Sequence, residues 1–461
     1  VTMLKIRALQ VMKALMEVEG VRAYFVGGCV RDRVMRRLPH DIDVEVFGVS
    51  YGDLIRMLEA QSRHCYRDVQ AVGKDFGVVK FTTDAGVIDF AIPRREYRVG
   101  VGHTAFECEF DPSISEKDAL SRRDFTMNAM YEDVEGRIID PFDGQRDIKD
   151  RVLRATTMAY MEDPLRVLRG MQFAARFGMA MDERTKMYST AMLDEFNAIS
   201  VERIWMEWKK WALAYSPGSW GLGCLEESQW LLRFPELAKL VDLPQDPDWH
   251  PEGDAWRHTR LVVDRAAQVA RMEELDENDT LTLVFAALLH DVGKPSTTTK
   301  INGRWRSPGH ASIGAPIAED FLSSIGAPRW LIDRVVPLVR EHMVHIGSAP
   351  TKRVVQRLAR RLEPASIVML RHLVWCDYAG RPPALPQDPL KLWVERAEEW
   401  AVSEKKPDRI LMGRHLLAAG LEPGTHIGEI LNAAYEAQLD GEISNVEDAL
   451  AWAKVRMGEF I

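Results

Sequence analysis

The sequence predicts an α+β protein: a small head built on a mixed sheet, followed by a long all-α body. Three observations predict it. Short apolar runs rich in β-formers crowd the N-terminal part, namely VRAYFV (21–26), DIDVEVF (41–47), VVKFTT (78–83) and GVIDFAI (86–92). From about Asp150 onward, apolar residues recur at helical spacing to the end of the chain. All 13 tryptophans lie at or after Trp205, so the head differs in kind from the rest of the chain.

At 461 residues the chain has room for two to four domains, at roughly 100–200 residues each. With 46% hydrophobic and 28% charged residues it is neither disordered nor fibrous. No run of about 18 apolar residues exists, so no membrane span is expected. Residues 1–20 lack the apolar centre of a secretion signal. The five cysteines are scattered, odd in number and in no metal spacing, which fits a reducing compartment and a cytoplasmic location. A net charge of −9 argues against a protein that coats nucleic acid non-specifically, but leaves room for local basic patches. Residues 1–40 carry eight Lys/Arg against three Asp/Glu, and KRVVQRLARR (352–361) has five basic residues and no acid. The second patch reads either as a solvated helix face or as an RNA-backbone contact. Ser216–Ser219, Pro244–Asp254 and Gly380–Asp388, rich in Pro, Gly or Asp, read as linkers.

In the head, VGGCVRD is followed by HDIDVEVFG. Gly27 and Gly28 follow a strand, where missing side chains let backbone N–H groups approach an anion. Arg31 and Asp32 come next, at a helix start. Asp41 and Asp43 alternate on a strand and so share one face. Two carboxylates on one face suit Mg²⁺, which takes one or two of them plus substrate phosphate oxygens. Asp89, on a nearby strand, is a candidate third ligand. In PLRVLRGMQFAARFG, Pro164 suits a first helical turn and Gly178 a C-terminal cap.

This double Gly, RD and strand-borne DxD resembles the nucleotidyltransferase superfamily shared by DNA polymerase β-like enzymes. Within it, the chain resembles the bacterial–eukaryotic class of CCA-adding enzymes and bacterial poly(A) polymerases. RRDFTMNAM (122–130) resembles that class's ribose-recognising motif, implying that Arg123, Asp124 and Asn128 hold the sugar. Asp and Asn can both bond a 2′-hydroxyl, although Asp124 also reads as a helix N-cap. IIDPFDGQRDIKDRVLR (138–154) resembles the family's hinge between head and neck. EDPLRVLRG resembles the motif whose carboxylate and guanidinium read the base edges of C and A without a nucleic-acid template, here Asp163 and Arg166. Three apart, they would share a helix face, although Asp163 before Pro164 also reads as an N-cap. Gln172 stands where many members have Arg. The resemblance assigns Arg169, with Gly27, Gly28 and Arg31, to the nucleotide as well. ISVERIWMEWKK (199–210) resembles a supporting helix with core Ile and Trp residues. GKDFGVVKF (73–81) and the long segment Arg94–Ser121 resemble complete CCA-adding enzymes more than poly(A)-adding or CC-only ones.

Farther on, His258, His290–Asp291, His310, His342 and Asp377 keep an order of their own, with LLHDVGKP around the central pair. Neutral imidazoles and carboxylates suit divalent transition metals. The set resembles the HD phosphohydrolase superfamily, with His310 and His342 in the place of its two extra histidines. His345, His372 and His426 read as core, surface or structural residues. A CCA-type head joined to an HD unit resembles a CCA-adding type with phosphodiesterase and phosphatase activity on 2′,3′-cyclic and 2′-phosphate RNA ends.

Together these resemblances imply a nucleotidyltransferase head (1–150), helical neck (151–215), body or linker (216–252), HD domain (253–380) and helical tail (381–461). The implied partners are CTP, ATP and the tRNA acceptor end. The implied cofactors are Mg²⁺ in the head and Ni²⁺, Mn²⁺ or Co²⁺ in the HD domain. The oligomeric state stays open. The rival readings are a poly(A) polymerase and an HD-type nucleotide sensor.

Overall fold

The computed structural model describes residues 2–39, 41–65, 68–72, 77–98, 106–111, 113–214, 216–347, 349–383 and 387–460. Two compact units emerge: Val1–Ser216 with Trp220–Arg233, and Pro217–Ser219 with Phe234–Ile461. The mixed sheet lies in the first unit, and the second is helical apart from one hairpin.

The four apolar runs all form strands. They are β1 (Arg22–Val26), β2 (Ile42–Phe47), β4 (Val78–Thr83) and β5 (Gly86–Ala91). The sequence reading missed β3 (Asp68–Val72) and also β8 (Tyr131–Glu132) and β9 (Ile138–Ile139), whose two residues each are too few to show a period. Among the described residues the sheet order is β3-β4-β5-β2-β1-β8-β9. Within this sheet, among the described residues, β2 and β5 are the one parallel pair, with Asp43 opposite Asp89. One sheet face packs against helices Met3–Leu15 and Tyr51–Cys65, burying Val44, Val46, Phe81, Ile88 and Phe90. The strands β6 (Arg94–Arg98) and β7 (Phe106–Phe110) form a separate hairpin. The expectations for residues 73–76 and 99–105 lie outside the described residues.

Gly27 caps the helix Gly28–Val34 at φ 72°, and a Cβ there would lie 2.9 Å from Arg123 Nη1. The positive φ favours glycine here. The expected hinge contains the helix Gly144–Asp150, tied down by Thr126 Oγ1 donating to Asp147 at 2.7 Å and by Arg154 pairing with the same carboxylate at 3.0 Å. The neck helix runs Leu165–Phe177, with Pro164 at its start and a left-handed Gly178 at its end. Trp208 and Trp211 of the helix Val201–Ala212 are core residues, as expected.

The basic run 352–361 lies on a helix whose charged face is exposed to half-exposed, as a solvated face would be. It forms the helix Lys352–Leu362, whose guanidiniums are taken up within the second unit. Arg353 and Arg357 pair with Asp440 at 2.8 and 2.6 Å, Arg360 pairs with Glu436, and Arg361 grips Glu341 at 2.8 and 2.9 Å. Their acids lie on distant helices, so the run looked uncompensated in sequence alone. In the N-terminal basic stretch, Lys5 pairs with Glu132, Arg7 with Asp84 and Arg22 with Glu116.

Candidate functional site

In the first unit, alternation on β2 puts Asp43 and Glu45 on one face, Asp41 sits in a bend just before the strand and not on it as expected, and the parallel register sets Asp89 beside Asp43. Asp41 is exposed and Asp43 half-buried. Burial raises the Asp43 pKa; Arg123 opposes that rise, while Asp89 and Asp41 add to it. Asp89 Oδ1 is buried without a hydrogen bond, and Lys80 Nζ is 3.9 Å from it. Mutually repelling carboxylates with an orphaned oxygen are a donor set that a hard divalent cation fits.

Next to them is a cavity of about 460 Å³, lined by Glu45, Arg123, Asp124, Asp163, Arg166, Arg169 and Arg203. Burial alone would raise the Asp124 pKa, but Arg169, the Asn128 amide and Arg166 bring it down to about 2. Arg169 Nη2 is 2.6 Å from Asp124 Oδ2, and Asn128 Nδ2 donates to Oδ1 at 2.9 Å. Asp124 does not cap a helix; the N-cap of the short turn Thr126–Asn128 is Phe125. Asn128 and Arg31 are buried behind this wall. Arg31 Nη1 donates to Asn128 Oδ1 at 2.8 Å and its Nε to Asp32 at 2.9 Å, with Phe177 4.7 Å from the guanidinium. Neither lines the cavity, nor do Gly27 and Gly28. Gln172 is buried in the neck helix.

Asp163 and Arg166 both line the cavity but do not share a helix face, because Asp163 is an extended residue before the helix. Its Oδ1 accepts from Leu165 N–H at 3.0 Å, which caps the helix, and its Oδ2 accepts from Arg203 at 2.7 Å. Arg166 donates to the carbonyls of Ala159 and Arg122 at 2.6 and 2.9 Å, which fixes its plane. Glu45 and Arg203 were missed by the sequence reading. Glu45 continues the period of two in DIDVEVF, whereas Arg203 lies in a segment read as support only.

In the second unit, His258, His290, Asp291, His310, His342 and Asp377 converge, each less than a tenth exposed. His258 Nε2 is 3.0 Å from Asp377 Oδ1 and 3.9 Å from Asp291 Oδ2. His290 Nε2 is 3.2 Å from Asp291 Oδ2, and His310 Nε2 is 3.4 Å from its Oδ1 and 3.1 Å from His342 Nε2. Nδ1 of His290, His310 and His342 each meets the backbone carbonyl three residues earlier, at 2.8, 2.8 and 2.7 Å. A carbonyl can only accept, so Nδ1 carries the proton and Nε2 presents its lone pair inward. Burial, with His310 and His290 beside it, pushes His342 down to about 3, so this imidazole is neutral at pH 7. Burial would raise Asp291, but the charged groups around it, Lys294 at 2.6 Å among them, hold it well below the usual carboxylate range. His290 Nε2 and Asp291 Oδ2 close no hydrogen bond although both are buried. Inward lone pairs beside ionised carboxylates fit a divalent transition metal.

Gly293 makes this convergence possible. A Cβ there would lie 2.1 Å from the His310 carbonyl oxygen, so glycine lets the helix His310–Ser324 start against the HD turn. The stretch Pro244–Asp254 is no mere linker. It carries Glu252, whose Oε1 is 2.7 Å from His258 Nδ1 and 2.9 Å from His250 Nδ1. Lys294 lies 2.6 Å from Asp291 Oδ2 and donates to Gln245 at 2.6 Å, and Arg381 meets Asp377 at 2.5 Å. His345 is neither plain core nor plain surface. It lines a cavity of about 760 Å³ over the cluster and meets the Tyr378 hydroxyl at 2.9 Å. His372 lines a different cavity, and His426 is half-buried. Of the residues missed, only Lys294 had a signal, the GKP after HD.

Comparison with known proteins accords with both centres. Residues 23–154 match the poly A polymerase head domain, and residues 255–373 match the HD domain. Fold and sites thus define a nucleotidyltransferase joined to an HD domain. The multifunctional CCA protein of Aromatoleum aromaticum is 34% identical over 371 residues, covering 78% of this chain and 86% of that one. Its counterpart in Vibrio cholerae is 35% identical over 328 residues, covering 70% and 76%. The chain belongs to this family, the multifunctional CCA proteins. In fold it is similar to the Bacillus stearothermophilus CCA-adding enzyme solved with CTP, with a TM-score of 0.65, 21% identity and coverage of 100% and 99%. It is also similar to the Thermotoga maritima CCA-adding enzyme complexed with tRNA, with a TM-score of 0.56, 18% identity and coverage of 99% and 96%. No helix among the described residues is long and apolar enough to cross a membrane.

Proposed function

We propose that the enzyme adds and repairs the 3′-terminal CCA of tRNA from CTP and ATP, choosing each nucleotide with protein side chains and no nucleic-acid template. The observation that carries this is the Asp43–Asp89 register pair set beside a cavity whose polar wall is held rigid by its own bonds. Mg²⁺ at Asp41, Asp43 and Asp89 would activate the RNA 3′-hydroxyl and stabilise the departing pyrophosphate. Arg123, Asp124 and Arg169 position the nucleotide, with Asn128 and Arg31 holding Asp124 from behind. Asp163 and Arg166 offer a fixed acceptor and donor to the base edge. Family membership favours this reading over a poly(A) polymerase, as do similarly folded enzymes solved with CTP, ATP and tRNA. The test is to incubate tRNA transcripts ending before CCA with each nucleotide alone and together. C added first, then a single A, is expected; unlimited A tails overturn the reading.

For the second centre we propose a metal-dependent phosphodiesterase on 2′,3′-cyclic RNA ends, followed by phosphatase action on the 2′-phosphate. A cyclic end has no free 3′-hydroxyl, so the first centre cannot extend it. Ni²⁺, Mn²⁺ or Co²⁺ held by the histidines would supply an activated water. The chain's own part is to keep Nε2 lone pairs inward and to balance Asp291 and Asp377 with Lys294 and Arg381. In domain terms, nucleotidyl transfer belongs to 1–150 with 151–215, and hydrolysis to 253–380, with 216–252 as body and 381–461 as tail. Glu252 and Gln245 extend the hydrolytic centre back into the body segment. The test supplies purified protein with 2′,3′-cyclic AMP and a panel of divalent metals before and after chelation. No hydrolysis with any metal of the panel rejects the assignment and favours a nucleotide sensor, and hydrolysis that survives chelation rejects its metal dependence. A cytoplasmic location accords with a tRNA substrate.

A further inference from the structure

The cavity over the histidine–aspartate cluster is larger than a phosphate group needs. Its volume of about 760 Å³ lies in the range of pockets that enclose whole small molecules. The cluster forms its floor, and its mouth has a different chemistry. Trp249, from the segment before the helix Ala255–Met272, lines it and is 54% exposed. Trp305, from the hairpin of Thr299–Ile301 and Arg304–Arg306, lines it too. Ile301 and Ile346 add exposed apolar surface to the same rim. Such a concentration of large apolar side chains around a polar floor marks a place where an apolar surface is bound.

Asp246 links the segments that carry the two tryptophans, through its carboxylate on one side and its backbone carbonyl on the other. Asp246, only 6% exposed, accepts from Arg304 Nε at 2.7 Å and from Arg304 Nη2 at 3.0 Å, which pins the hairpin. Its backbone carbonyl accepts the Trp249 N–H at 3.1 Å, which pins the other segment. Lys300 Nζ, on the residue paired with Trp305 across the hairpin, lies 4.8 Å from the Trp305 ring centroid. Cations continue from rim to floor: Arg306, then Arg381 and Lys294. A flat π-surface outside, cations between and a phosphate-sized polar centre inside match a nucleoside phosphate from base to phosphate.

We propose that Trp249 and Trp305 form a nucleobase subsite that seats the terminal base of an RNA 3′ end while its phosphate reaches the histidine–aspartate floor. This rests on the phosphodiesterase reading above. Stacking on an aromatic ring is open to every base, because every base has a π-face. The subsite therefore selects nucleoside phosphates over base-less phosphates and does not rank A, C, G and U strongly.

The experiment uses the full chain loaded with Mn²⁺ or Ni²⁺ and two substrates, 2′,3′-cyclic AMP and methyl riboside 2,3-cyclic phosphate, which lacks the base. The native protein is expected to favour the nucleotide in kcat/KM by roughly tenfold or more. Trp249→Ala and Trp305→Ala should each move that ratio toward one, chiefly by raising KM for the nucleotide, and Trp249→Phe should restore it. A native ratio near one, or a ratio unmoved in both alanine variants, overturns the subsite. Hydrolysis of neither substrate with any metal rejects the phosphodiesterase reading, and calorimetry then decides the subsite. Tighter binding of 2′-AMP than of methyl riboside 2-phosphate, lost in the alanine variants, supports it; equal binding overturns it.

Discussion

The two centres take opposite routes to holding a cation. In the first unit, Asp41, Asp43 and Asp89 are exposed or half-buried and repel one another. In the second, every candidate ligand is buried, three imidazoles are locked by backbone carbonyls, and two cations balance the aspartates. On the proposed reading, an open carboxylate set would leave coordination positions for substrate phosphates, whereas a closed, prealigned set would hold its ion with ligands already oriented. Nucleotide addition, which must admit a new triphosphate each turn, would suit the first, and the proposed ring opening the second.

The largest expected effects come from removing one carboxylate from each centre. Asp43→Ala should lower nucleotide addition by about a thousandfold or more while tRNA binding changes little, since the charge to be stabilised appears in the reaction and not in docking. Asp291→Ala should abolish hydrolysis of 2′,3′-cyclic AMP and leave addition near native. Assaying both activities in both variants would break the comparison if either substitution silenced the opposite centre.

A smaller effect is expected from Glu252→Gln. Glu252 touches the Nδ1 side of His258, whose Nε2 faces the aspartates, so it orients a ligand. Losing its charge should weaken metal affinity by about 10–100-fold, read by competition with a chelator. Unchanged affinity would make Glu252 a purely structural acid.

Asp163→Ala should relax the choice among C, A, U and G by on the order of tenfold, the cost of leaving one base-edge group unpaired. Arg203→Ala sharpens this, because Arg203 grips Asp163 Oδ2 at 2.7 Å. If Arg203 acts by holding Asp163, both variants lose selectivity in parallel. If selectivity survives in Asp163→Ala, the carboxylate is a helix cap and no more.

The smallest effect concerns pH. The Asp124 carboxyl falls from an ordinary 3.8 to about 2 in the folded protein. Because the folded value is the lower one, its contribution, about 2 kcal/mol, is present above pH 4 and is lost as pH falls toward 2. The stability difference between native protein and Asp124→Asn, from urea midpoints, should shrink across that window. Glu252 in the histidine centre also falls to about 2, so it is the comparison with Asp124→Asn that isolates the first unit's share.

Local pattern alone determined much of this protein. Alternation in DIDVEVF marked the strand that carries Asp43, Pro164 and Gly178 bounded the neck helix, and the ordered histidines and aspartates marked the second centre. Each is a one-dimensional signal, a period, a cap or a spacing, and is written within a few residues or in a fixed order. Tertiary structure decided the rest. It set Asp89 beside Asp43 through parallel pairing, brought Arg203 to Asp163 across 40 residues, and neutralised Arg357 with Asp440 across 83. It also turned Pro244–Asp254 from an expected linker into the segment that carries Glu252 and Trp249. These outcomes depend on which surfaces pack together, and a charge or an aromatic ring carries no local mark of the partner it will meet once the chain has folded.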